Sequence, residues 1–374
     1  MARPWNLSAG PAILPSAVFE RTAAAVKQLD LPGDDSLESR LSILEISHRS
    51  AAFDQVHEGA IELCHEVLQI PRTHKVLLLQ GGASLQFAMV PMNLRKADRP
   101  ACYVETGVWA KKAIAESKLL GPTEVVASSA ATKHDRIPAM PPASSYAGAS
   151  YLHITSNNTI YGTEWEQLPK LENDTPLVVD LSSNIGSRPM GIENVALGYA
   201  GAQKNLGPSG VTLVFIREDL LAREPAAPVP TMLRYQTHAE ENSLFNTPNT
   251  FGILVLKNVL EWMRDAGGVT GIGAVNQRKA DKLYVALDKS SLYRAHAQPG
   301  SRSRMNITWT LAGKDDADTE AQTKRFLKTA EKAGFCGLKG HRLVGGCRAS
   351  TYNAFPEAGV DALVEFMAEF ERGA

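Results

Sequence analysis

Asp180 closes the apolar run PLVVDL, and Lys204 follows in YAGAQKNLGPSG, among small residues and just before a glycine–proline turn. Both runs read as strands, and open α/β sheets form their ligand crevice outside the carboxyl ends of strands. A carboxylate buried there needs a partner, because an unpaired buried charge is costly or shifts its pKa. Taken alone, Asp180 fits a helix cap or a structural ion pair, and Lys204 fits a solvated turn lysine. Taken together they suit a pyridoxal phosphate (PLP) site. The lysine would bond to the cofactor's aldehyde, the aspartate would keep the pyridine nitrogen protonated, and the small residues would leave room for the ring.

Other stretches carry compatible chemistry. LLLQGGASLQFAMVP reads as a strand, a Gly81–Gly82 turn and a helix from about Ser84. Free N–H groups at such a helix start bind anions, and PLP carries a phosphate. The turn lacks the G-K-[ST] of a nucleotide-binding loop. GGVTGIG, at 267–273, follows a helix rather than a strand and reads as helix punctuation. Trp109, in ETGVWAKK, could stack on a flat ring or simply pack into the core. Thr159, in TSNNTIYG, lies past another strand end and could reach the cofactor's phenolic oxygen. His48 and Arg49 in ISHRS, and His341, Arg342 and Arg348 in GHRLVGGCR, sit beside glycine or serine. Converging, they would suit a substrate with both a phosphate and a carboxylate; scattered, they are surface charge.

The elements that must position these residues follow an α/β pattern. Apolar runs at 75–80, 101–105, 123–128, 151–155, 176–181, 198–203 and 211–216 alternate with helical stretches at 84–93 and 109–119. This predicts a mainly parallel seven-stranded sheet covered by helices. Only the last two runs are joined by a short turn, so that pair should be antiparallel. After two long helices the texture changes. In RMNITWTL, Met305, Ile307, Trp309 and Leu311 alternate with polar residues, as in a half-buried strand. The expectation is a large domain over 1–265 and a smaller α+β domain over 266–374, with 137–149 as an exposed loop.

Composition narrows the function. A formal net charge of -1 argues against a nucleic-acid partner. No apolar run approaches a membrane span, and the N-terminus lacks a signal segment, so cytoplasmic residence is the expectation. Cys64, Cys102, Cys336 and Cys347 form no C-x-x-C pair and read as buried reduced thiols. HEGAIELCHE is not H-E-x-x-H, and no metal site is expected.

SAGPAILP, EISHRS, GGASLQF, TGVWA, TSNNTIYGTEW, VDLSSNIGSRP, YAGAQKNLGPSG, FNTPNTF and GHRLVGGCRASTYNA together resemble the phosphoserine aminotransferase family, in the same order over nearly the whole chain. That resemblance implies a PLP-dependent transferase of fold type I. It implies a homodimer with active sites at the subunit interface, and an N-terminal segment that could pack with the small domain. By the same resemblance Lys204 is the Schiff-base lysine, Asp180 pairs with the pyridine nitrogen, Trp109 stacks on the ring and Thr159 binds its phenolic oxygen. Gln203, Ala83 and Ser84 would contact the phosphate, joined by Asn246 and Thr247 from the other subunit. Arg348 would hold the substrate α-carboxylate. His48, Arg49, His341 and Arg342 would surround the substrate phosphate or side-chain carboxylate. Some members carry arginine where this chain has Ser84, which lowers the charge at that surface.

The implied reaction is amino transfer between L-glutamate and 3-phosphohydroxypyruvate, giving 2-oxoglutarate and O-phospho-L-serine for serine biosynthesis. Use of the precursor of 4-phosphohydroxythreonine in vitamin B6 synthesis stays open. The rivals are a serine–glyoxylate-type aminotransferase, a cysteine desulfurase and a catalytically silent protein of the same fold. The basic set disfavours the first. The contexts of Cys336 and Cys347 disfavour the second, and retention of Asp180 with Lys204 disfavours the third.

Overall fold

A computed structural model describes residues 3–373. Seven strands form the main sheet: β1 (His74–Leu79), β2 (Ala101–Glu105), β3 (Thr123–Ser128), β4 (Leu152–Thr155), β5 (Leu177–Asp180), β6 (Leu197–Gly201) and β7 (Thr212–Arg217). Their spatial order is β1-β7-β6-β5-β4-β2-β3. β7 is antiparallel to both neighbours, as its short link to β6 requires, and the other adjacent pairs are parallel. The longer helices are α1 (Ser16–Lys27), α2 (Ala51–Leu68), α3 (Gly82–Leu94), α4 (Val108–Leu120), α5 (Thr250–Asp265), α6 (Gly268–Lys289), α7 (Asp316–Lys332) and α8 (Glu357–Arg372).

Strand alternation divides the sheet into two apolar faces. Val76, Leu78, Val104, Ile154, Val179 and Phe215 face α2 and α5. Leu77, Tyr103, Val178, Tyr199 and Val214 face α3 and α4. Burial of an aliphatic side chain of this size contributes about 1.5–3 kcal/mol, so the two layers fix the sheet firmly. Helix starts are set locally. Ser50 Oγ accepts from Phe53 N at 3.2 Å to begin α2, and Asn249 Oδ1 accepts from Gly252 N at 2.9 Å to begin α5. None of the described helices is long and apolar enough to cross a membrane.

A second core surrounds an antiparallel sheet of β8 (Tyr293–Ala295), β9 (Asn306–Leu311) and β10 (Cys347–Ser350), in that spatial order. Trp309, Phe326, Phe366 and Phe370 fill it, with Phe326 and Phe370 ring centroids 5.1 Å apart. The chain's beginning joins this core. Trp5–Asn6 runs parallel to Phe335–Cys336, and Leu7 and Ile13 are buried there.

Four expectations need correction. β9 is not half-buried: Asn306 and Thr308 are buried as well, because the hairpin at 157–164 covers their face. Gly162 permits that contact, since a Cβ on it would meet Asn306 O at 2.7 Å. Cys336 is exposed, on the two-residue strand beside the N-terminus, whereas Cys64, Cys102 and Cys347 are buried. The 137–149 loop is partly packed. Tyr146 and Ala149 are buried, and Thr175 Oγ1 donates to Tyr146 O at 3.0 Å. Gly271 and Gly273 lie inside α6 rather than at its start. A Cβ on Gly273 would press on Arg188 Cβ at 3.0 Å, so close packing explains that glycine.

α6 also buries Lys279 completely. Its ammonium donates to Thr351 O, Tyr352 O and Phe355 O at 2.9–3.0 Å. Burial pushes its pKa down to about 7, yet three acceptors call for three N–H donors, which only the charged form offers. Lys279→Met should therefore cost about 3 kcal/mol or more, read as a lower urea midpoint, because it strands three buried carbonyls. An unchanged midpoint would mean that the turn at 351–355 holds itself.

Candidate active site

The parallel registers bring three strand ends together. Thr155 pairs with Asp180, and Asp180 with Tyr199, so β4, β5 and β6 open onto one crevice. Asp180 is buried, and its Oδ1 accepts the Ser182 N–H at 2.9 Å. Burial raises its pKa, opposed by hydrogen bonds from Ser182 and, least, by the charge of Lys204, with which it forms no ion pair. Lys204 follows β6 in the turn toward β7 and is half-buried. Its Nζ donates to Thr159 Oγ1 at 3.0 Å and lies 5.9 Å from the centroid of the Trp109 ring. Burial lowers its pKa to about 8; Asp180 pulls it up and Arg348 pushes it further down.

Trp109 stands in the first turn of α4, and its buried Nε1 has no partner among the described residues. The turn that launches it is locked to the hairpin carrying Thr159. Thr106 Oγ1 donates to Asn158 Oδ1 at 3.1 Å, and a Cβ on Gly107 would lie 3.0 Å from the Tyr161 ring. Arg348, on β10, donates through Nη1 to Thr159 O at 3.4 Å, while its buried Nε has no partner among the described residues. Burial lowers the pKa of Arg348. His341 is also lowered, by burial and then by the nearby charges of Arg348, Arg342 and Lys112. These cations therefore share one electropositive region, and Lys112 Nζ lies 4.8 Å from the Trp109 ring centroid.

The glycine turn lies along the same side of the sheet. Gly81 and Gly82 adopt positive φ angles of 91° and 66°, and no side chain caps α3, so its first N–H groups remain available for an anion. Ala83 and Ser84 occupy that first turn, with Ser84 exposed. Gln203 is half-buried, and its carbonyl accepts from Ala12 N at 2.9 Å. Asn246 and Thr247 are exposed. Gln80 Nε2 donates to Thr247 O at 3.2 Å, which sets that segment beside the glycine turn of its own chain. His48 and Arg49 stand on the turn before α2. No hydrogen bond between described residues ties either to Lys204, and His48 Nε2 is buried without a partner.

Sequence reading missed three residues at the site. Ser182 holds Asp180, and the D-x-S spacing at a strand end was its signal. Lys112 was visible only as one of two lysines after Trp109. Tyr352 had no local signal, because its partners are distant in sequence.

The model of the class-V aminotransferase family matches residues 5–363. Curated relatives include the phosphoserine aminotransferase of Lysinibacillus sphaericus (strain C3-41), 50% identical over 99% of this chain and 98% of its own length. The chain belongs to the phosphoserine aminotransferases. Among solved structures, the phosphoserine aminotransferase from Bacillus circulans subsp. alkalophilus superposes with a TM-score of 0.90 at 46% identity, covering 99% of both chains. The PLP-bound enzyme from Trichomonas vaginalis gives 0.85 at 34% identity, covering 98% of this chain and 100% of its own. Members of this family are PLP-dependent transaminases of fold type I, and so is this enzyme.

The residues of this phosphoserine aminotransferase fit PLP. Asp180 is a buried acid with a backbone N–H but no cation bonded to it, which suits a protonated pyridine nitrogen. Lys204 is an amine with a lowered pKa, Trp109 offers a flat face beside it, and the uncapped start of α3 offers donors to a phosphate.

Proposed function

We propose that this enzyme transfers an amino group between L-glutamate and 3-phosphohydroxypyruvate, giving 2-oxoglutarate and O-phospho-L-serine. The observation that carries this reading is the gathering of Arg342, Lys112 and Arg348 around His341, beside Lys204 and Trp109. Such a pocket accepts a carboxylate and a phosphate in turn, which glutamate and phosphoserine require of one site.

PLP, when bound, supplies an electron sink for negative charge at the substrate Cα. The chain's residues do the rest. Lys204 would anchor the cofactor, and its free amine, when neutral, would carry the proton at the substrate Cα. Asp180 holds the pyridine nitrogen in its cationic form, and Ser182 fixes the carboxylate. Trp109 would cover the ring, Thr159 would hold its phenolic oxygen, and Gln203, Ala83 and Ser84 would hold its phosphate. Arg348 binds the substrate α-carboxylate through its fork of donors. His341 and Arg342, with His48 and Arg49, bind the far phosphate or carboxylate.

The lowered pKa of Lys204 makes PLP capture testable by pH. Its neutral fraction at pH 7.5 is roughly a quarter with a pKa of about 8, against roughly a thousandth for an ordinary lysine. PLP loading of the cofactor-free protein should accelerate with rising pH and level off just above 8. A rate still climbing beyond pH 10 would contradict the buried-amine account.

Arg342→Ala should lower kcat/KM for 3-phosphohydroxypyruvate about ten- to hundredfold, the worth of one charge-assisted hydrogen bond, and spare unphosphorylated hydroxypyruvate. Equal losses for both acceptors would remove its phosphate role.

We also place the domain division at 265/266, with the N-terminal segment counted with the small unit, and we read the enzyme as a cytoplasmic homodimer. Support for the dimer comes from the exposed side chains of Met232, Phe245, Asn246 and Thr247, next to a surface cavity of about 180 Å³ lined by Gly81, Met232 and Asn246. A second copy packed there could send Asn246 and Thr247 to its neighbour's phosphate site. Light scattering should find a particle of twice the chain mass.

A further inference from the structure

We infer that Tyr352 is a positioning residue for Lys204, its hydroxyl pinning the segment at residues 8–12 as the wall along which the lysine side chain lies. The inference rests on the placement of PLP on Lys204 proposed above.

The wall itself is backbone. A Cβ on Gly10 would lie 3.5 Å from Lys204 Cγ and 3.8 Å from Gln203 Cγ, so the chain runs directly along the lysine's stem. Each end of the segment is tied by main-chain bonds. Ser350 N donates to Leu7 O at 3.2 Å, and Ala12 N donates to Gln203 O at 2.9 Å. Between those ties, the Ala9 carbonyl accepts the Tyr352 hydroxyl at 2.9 Å.

Tyr352 is almost fully buried and is itself held in place. Asn306 Nδ2 donates to its Oη at 3.2 Å and to Ser350 Oγ at 3.0 Å. Asn306 Oδ1 accepts from Asn157 Nδ2 at 2.8 Å, which also donates to Ser183 Oγ at 2.8 Å. A run of buried hydrogen bonds therefore connects the strand end that carries Asp180, the hairpin that carries Thr159, the small unit, and the wall beside Lys204. Burial raises the Tyr352 pKa, so the phenol stays a donor throughout the physiological range. In a low-dielectric interior, a connected network of this kind fixes one arrangement, and removal of one member strands its partners.

The consequence for Lys204 has a sign. Burial lowers its pKa, so a loosened wall that admits water should let that pKa rise. Tyr352→Phe removes only the hydroxyl. In the cofactor-free variant, the pH midpoint for PLP capture should move upward by at least about half a unit. In the PLP-loaded variant, exchange of the Ala12 amide should quicken about tenfold, as expected when a local opening becomes easier. kcat should fall about tenfold, while KM for 3-phosphohydroxypyruvate changes less than about twofold. Asn306→Ser, which weakens the grip on Tyr352 without touching Ala9, should shift the capture midpoint in the same direction by less. An unchanged midpoint in Tyr352→Phe overturns the inference, even if the melting temperature falls, because a purely structural role would leave the lysine's titration alone. If parent enzyme and Lys204→Ala capture PLP covalently alike, the placement of PLP on Lys204 fails first.

Discussion

Lys204→Ala should abolish transamination, with kcat falling by more than about 10⁴-fold, since one residue supplies both the covalent anchor and the proton carrier. The structure shows why no neighbour replaces it. Thr159 and Trp109 surround its amine, and the cations beside them among the described residues are Arg348, Arg342 and Lys112. His341, held neutral by burial and by those charges, makes no hydrogen bond to the Lys204 amine. The arginines stay protonated and cannot act as bases at neutral pH. Lys112 Nζ sits over the Trp109 ring, 4.8 Å from its centroid, on the same helix α4. PLP should still bind the variant through Asp180, Trp109 and the start of α3, so loss of turnover with retained cofactor is the expected pattern. Turnover within tenfold of the parent would remove Lys204 from the chemistry.

Asp180→Asn should lower kcat by about 10²–10⁴-fold, with a smaller effect on the melting temperature. The amide keeps the shape and can still accept the Ser182 N–H, so the strand end should survive. It carries no charge, however, and a neutral partner no longer favours a protonated pyridine nitrogen. Single-turnover reaction with glutamate is the measurement. A variant as fast as the parent would reduce Asp180 to the ion-pair or capping role that its position alone allows.

Much of the frame could be read from the chain. Seven apolar runs became the seven strands within a residue or two, because a parallel sheet covered on both faces demands continuous apolar segments. Asp180 and Lys204 were legible for a related reason: polar residues that end such runs stand out. Errors arose where a second layer covers what one element leaves open. The polar face of β9 reads as solvent-facing, and only the distant hairpin at 157–164 explains why Asn306 and Thr308 are buried. Cys336 lies in an apolar-looking context, yet its two-residue strand pairs at the surface with Trp5–Asn6. Tyr352 makes its decisive bond to Ala9, at the other end of the chain, so no local pattern could reveal it.

Every role proposed for this crevice requires PLP to be carried on Lys204. Hydride reduction of the PLP-loaded enzyme, followed by proteolysis and mass spectrometry, tests it directly. A pyridoxyl adduct is expected on the peptide containing Lys204 and on no other lysine. An adduct on a different lysine, or none on a loaded and active enzyme, would contradict it.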